Sequence, residues 1–138
     1  MRAVLDSNVI ISALLSPQGA PARVLLAWYE GRFELVASRM LLGELKRALS
    51  YPKLARRIPS DEATAVLTWL KRDATIVSDP DEEPPVRSRD AGDDYLLALA
   101  ERERAALVSG DRDVLALSGE VPVFSPNSFL DFLERESR

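Results

Sequence analysis

Apolar positions along the chain fall into two alternating rhythms. Short apolar runs recur at Arg2–Asp6 (RAVLD), Phe33–Ala37 (FELVA), Thr75–Ser78, Ala106–Ser109 (ALVS) and Val121–Phe124 (VPVF). They read as strands, with Thr75–Ser78 the most weakly marked. Helical spacing fills the intervals. Ser7–Leu15 is the first helix, with Ser7 expected to cap it. After the turn SPQGAP, Pro21 suits the first position of a second helix, which Gly31 stops. Ser38 is placed to cap a helix carrying LLGELKRAL, which Pro52 breaks, and Ser60 opens SDEATAVLTWLKRDA with acids in its first turn. DPDEEPPVRSRDAG reads as an exposed loop and not as a domain linker. Asp94 is expected to begin a buried helix to Glu103, and a last helix starts near Ser125-Pro126. Strands alternating with helices predict an α/β class. The expected architecture is a mainly parallel five-stranded central sheet with helices on both faces, in a single domain over 1–138.

Composition narrows the chemistry more than the class. The chain has 138 residues with 46% hydrophobic and 29% charged content, as in an ordinary globular domain. No apolar stretch is long enough to span a bilayer, and the N-terminus does not read as a signal peptide, so a cytoplasmic, membrane-free protein is expected. It contains neither Cys nor His. That removes thiolate and Ser–His–Asp nucleophiles, and any metal would need oxygen ligands, which favours magnesium or manganese. The net charge of −4 argues against a strong, non-specific nucleic-acid binder but leaves room for a nuclease with an acidic centre. Charge is also segregated: Lys46, Arg47, Lys53, Arg56 and Arg57 form a basic run, and Asp73 to Glu83 an acidic one. Either run reads equally well as a solvated face.

In parallel sheets, sites gather beyond the carboxyl ends of the strands. Asp6 ends the first strand and Asp111 follows the fourth, so two acids leave one edge. Asp94 opens the helix between them, and Glu44 borders the apolar stripe Leu41, Leu45 and Ala48. Each has a plainer reading: a helix cap for Asp94, a turn for Asp111, a border residue for Glu44. Asp6 is hardest to dismiss, because an acid ending a buried strand needs a partner. Carboxylates brought together persist only if a cation or proton offsets them, which points to a magnesium or manganese site. Such a metal activates water and stabilises phosphate oxygens, the requirements of phosphodiester hydrolysis. Asn8 and Ser109 stand beside the acids as supporting residues, and Lys46, Arg47, Lys53 and Arg57 are candidates for contact with an RNA backbone.

The segments VLDSNVIISALLSPQGAPARVL, FELVASRMLLGELKRALSYPKL, DAGDDYLLALA, ALVSGDRDVL and SPNSFLDFL together resemble the PIN-domain family. The likeness is to its bacterial branch of VapC-like ribonucleases, the toxin components of toxin–antitoxin pairs. The resemblance implies a three-layer α/β/α fold and divalent-metal-dependent cleavage of single-stranded RNA, often by a homodimer. It implies Asp6, Glu44, Asp94 and Asp111 as the catalytic, metal-holding quartet. Asp93 stands next to Asp94, which leads into Leu97-Ala98 as the family motif does, and Asp113 is an alternative or supplement to Asp111. Two other readings remain at this stage: a non-catalytic PIN-like module that docks RNA or protein, and an aspartyl phosphatase, for which Asn8 stands where a second acid is wanted.

Overall fold

The computed structural model describes residues 1–80, 91–111 and 122–136, with the side chains of 91–93 outside the description. Strands β1 (Arg2–Leu5), β2 (Glu34–Ser38), β3 (Thr75–Val77), β4 (Ala106–Val108) and β5 (Val123–Phe124) form one sheet. Its order is β3-β2-β1-β4-β5, and every pairing is parallel. The central strands are buried on both faces: Ala3, Val4, Leu5, Leu35, Val36, Ala37, Ala106, Leu107 and Val108 are all core residues. Such continuous apolar runs are what a sheet covered on both sides requires.

Seven helices accompany the sheet among the described residues: α1 (Ser7–Leu15), α2 (Ala20–Tyr29), α3 (Arg39–Ser50), α4 (Pro52–Ala55), α5 (Ser60–Asp73), α6 (Ala91–Arg102) and α7 (Pro126–Glu136). Helices α1, α2, α3 and α7 pack on one another, whereas α6 lies against β1 and β4. Right-handed crossovers explain the division: the chain winds from β1 to β3 in one direction, then reverses to reach β4, so α6 covers the opposite face. The result is the expected three-layer α/β/α architecture. No single helix among the described residues is long and apolar enough to cross a membrane.

Several local expectations change. Asp6, not Ser7, caps α1: Asp6 has φ −56° and ψ 140°, and its carboxylate accepts from the Asn8 amide. Ser7 is already helical and buried. Both types cap well, and the backbone angle at the strand end decides between them. Helix α6 starts at Ala91, so Asp94 sits inside the helix instead of beginning it. Pro52 ends α3 as expected, yet it also occupies the first turn of the short α4, where its missing N–H costs nothing. β5 spans Val123–Phe124 with Pro122 ahead of it, and Val121 lies outside the described residues. Gly31 does stop α2: at φ 76° its amide bonds Trp28 O while the Arg32 amide bonds Ala27 O, a paired closure that a left-handed glycine permits.

Candidate active site

The strand order reverses between β1 and β4, and ligands in open parallel sheets bind in the crevice at that reversal. Asp6 and Ser109 stand there. Leu5 and Val108 are register partners, so the residue after each leaves the sheet at the same level. The Ser109 hydroxyl donates to Asp6 Oδ2 at 2.9 Å, and the Asn8 amide donates to Oδ1 at 3.2 Å. The Asp111 amide in turn donates to Ser109 Oγ at 3.0 Å. Asp6 and Ser109 are both buried, and Asp111 is half-buried. One hydroxyl thus ties the strand-borne acids together.

The other two acids arrive on helices whose first turns lie at the same edge. Glu44 is on α3, which begins directly after β2, and it is exposed. Leu41, Leu42, Leu45 and Leu49 are the buried side of α3, with Ala48 half-buried, and Glu44 lies just outside this apolar stripe, one turn from Leu41 and Ala48. Asp94 is half-buried in α6. Asn8 is exposed beside Asp6, and Lys46, Arg47, Lys53 and Arg57 are all exposed on α3, α4 and the turn that follows. The Asp93 side chain and Asp113 lie outside the described residues, as does the acidic run beyond Pro80.

Two residues not singled out in the sequence complete this edge. The Tyr95 hydroxyl donates to Asp79 Oδ1 at 3.1 Å and is hydrogen-bonded to the Ser38 hydroxyl. The Met40 amide donates to Asp79 Oδ2 at 3.2 Å. Burial pushes the Tyr95 phenol up to about 12, with the neighbouring Asp79 charge adding to the shift and the Ser38 bond opposing it. Asp79 stood out only as part of an acidic run, and Tyr95 only as the residue after Asp94.

The family model for the PIN domain matches residues 2–113, from the start of β1 past Asp111. The chain belongs to the PIN-domain family. PIN domains are generally nucleases, and this one carries its family's fold. It is 24% identical to the uncharacterized protein MJ1680 of Methanocaldococcus jannaschii, over 98% of this chain and 93% of that protein. In fold it is similar to the crystal structure of PAE2754 from Pyrobaculum aerophilum: TM-score 0.67, 20% identity, covering 98% of this chain and 90% of the other. It is also similar to the crystal structure of VapBC2 from Rickettsia felis bound to a DNA fragment from their promoter. There the TM-score is 0.61 and the identity 13%, over 91% of this chain and 97% of the other.

The acids of this PIN domain fit a hard divalent cation by chemistry, since every donor on the edge is oxygen. Asp6 supplies the structural reason. It is a buried carboxylate whose hydrogen bonds come from a hydroxyl and an amide, and no ion pair reaches it among the described residues. Buried charge without a counter-charge is costly. Among the described residues, however, no three acidic side chains stand close enough together to hold a metal ion. The link from Asp6 to Asp111 runs through Ser109 to the Asp111 backbone amide.

Proposed function

We propose that this PIN domain is a divalent-metal-dependent endoribonuclease that hydrolyses phosphodiester bonds of single-stranded RNA in the cytoplasm. The observation that carries the reading is the buried carboxylate of Asp6 at the strand-order reversal, which has no ion pair among the described residues and is tied through Ser109 to the Asp111 backbone. Asp6 and Asp111 would hold magnesium or manganese, and Glu44 and Asp94 would reach it directly or through bound water, which magnesium retains readily. The metal supplies activated water and neutralises phosphate charge. Ser109 would keep the Asp6 carboxylate turned to one side, and the exposed side chain of Asn8 would meet a phosphate oxygen. Lys46, Arg47, Lys53 and Arg57 would offset the RNA backbone charge. Likeness of fold to VapBC2 supports a toxin role with an antitoxin partner, and the family resemblance supports a homodimer.

The test compares cleavage of single-stranded RNA with manganese, with chelator, and in the Asp6→Asn and Asp94→Asn variants. Cleavage should need manganese and disappear in both variants. Metal-independent cleavage surviving both substitutions overturns the mechanism. The absence of three converging acids among the described residues favours a second reading, a non-catalytic module that docks RNA or protein. RNA binding with no calorimetric response to manganese would select it.

A further inference from the structure

The opening turn of α6 is held by a side chain that the proposed chemistry does not use. Apolar packing secures this helix from Leu96 onward, where Leu96, Leu97, Ala98, Leu99 and Ala100 are all buried. Asp94 lies ahead of that stretch. Between them stands Tyr95, whose hydroxyl is shared by two other elements. It donates to Asp79 Oδ1 and, having spent its one proton there, accepts from Ser38. Ser38 Oγ also accepts from the Leu41 amide at 3.3 Å, and Asp79 Oδ2 from the Met40 amide at 3.2 Å. A closed ring of bonds therefore joins the end of β2, the first turn of α3, the residue beyond β3 and the first turn of α6. Its links to Tyr95 span 57 and 16 positions of sequence, so none is a by-product of local helix geometry.

We infer that Tyr95 is a positioning residue: it pins the opening turn of α6 to the N-terminus of α3, and so sets where Asp94 stands relative to the Asp6–Ser109–Asp111 seam. A hydroxyl that donates to one element and accepts from another fixes direction as well as distance, which apolar contact alone does not. The consequence is specific to a site assembled from separate elements. Residues behind metal-holding acids commonly control affinity without touching the ion. The inference rests on the metal-dependent nuclease reading.

Tyr95→Phe keeps the ring and removes the hydroxyl; Tyr29→Phe, at a side chain 70% exposed, serves as control. In the metal-free full chain, amide exchange at Met40 and at residues 95–98, which bond the first-turn carbonyls, should rise about tenfold in Tyr95→Phe while the core stays protected. Calorimetry should show manganese bound about tenfold more weakly. The kcat on single-stranded RNA should fall with KM little changed. In an Asp94→Asn background the same substitution should add nothing further to the loss of manganese affinity, because both act through one group. Wild-type manganese affinity and kcat in Tyr95→Phe, or an undiminished effect in the Asp94→Asn background, overturns the inference while leaving the nuclease reading intact. A wild-type protein that neither binds manganese nor cuts RNA overturns that reading, and the inference with it.

Discussion

At the amino edge of the sheet the acids are paired with cations; at the carboxyl edge, among the described residues, the buried acid is not. Arg2 opens β1, with its Nε 2.8 Å from Glu34 Oε2 at the start of β2, and its other nitrogens reach Glu103 just before β4. Thr75, at the start of β3, donates to Glu34 Oε1 at 2.9 Å. This is how a fold normally settles surface acids, with a guanidinium and a hydroxyl in easy reach of water. Across the sheet, the partners of the more deeply buried Asp6 among the described residues are a hydroxyl and an amide. The cost of an unpaired charge is therefore tolerated where burial makes it largest. Under the proposed metal-dependent reading, the carboxyl edge would take its cation from solution.

The largest expected effect tests that directly. Manganese at a hundredfold excess over its Kd should stabilise the wild-type protein by about 2.7 kcal/mol, read as a rise in Tm. Asp6→Asn should abolish the rise. Without metal that variant should be as stable as wild type or more so, since the amide oxygen keeps the Asn8 bond, the Ser109 hydroxyl can turn to accept from the new NH2, and the buried charge is gone. A clear loss of metal-free stability in Asp6→Asn breaks the comparison.

Ser109→Ala comes next. It strips one partner from Asp6 Oδ2 and one from the Asp111 amide, and should cost about 1–3 kcal/mol in urea unfolding. A change below a few tenths of a kcal/mol would mean the seam is not the rigid half of the site.

The smallest effect belongs to the amino edge. The Thr75 hydroxyl, then Arg2, holds the Glu34 carboxyl below its ordinary range. A depressed carboxylate stabilises the fold above its unfolded value of 4.5, and that contribution fades as pH falls through the folded value. Glu34→Gln should slightly flatten the acid limb of a stability-against-pH curve and leave manganese binding untouched. A change in metal affinity would show that the two edges are not independent.

Most of the frame could be read from the chain because it is local. Buried runs such as Ala3–Leu5 and the four-residue spacing of Leu41 and Leu45 declare strand and helix without reference to anything distant. Asp6 was legible for the same reason, as an acid ending an apolar run. Asn8 and Ser109 could be picked out as neighbours of the acids, but not the bond between Ser109 and Asp6: which hydroxyl answers a carboxylate depends on strand order, and the β1–β4 pairing is not written in either segment. Tyr95 and Asp79 escaped notice on that ground too, since their bonds join elements far apart in sequence. The misassigned cap shows a finer limit. Asp6 and Ser7 are equally suited by type, and a single backbone angle separates them.

The bond between Ser109 and Asp6 spans 103 positions of sequence. During synthesis Asp6 leaves the ribosome well before its partner, which follows only after three further strands. A nascent chain therefore carries the acid long before it has the hydroxyl that aims it, or the second acid beside it. Contacts this distant in sequence also form late in folding, because the intervening chain must be ordered first. An incompletely made or half-folded copy has the parts of a nuclease without the seam that joins them. The Asp6–Ser109 seam thus exists only once β4 has docked beside β1, so the first-made strand of that pairing waits on the last-made one.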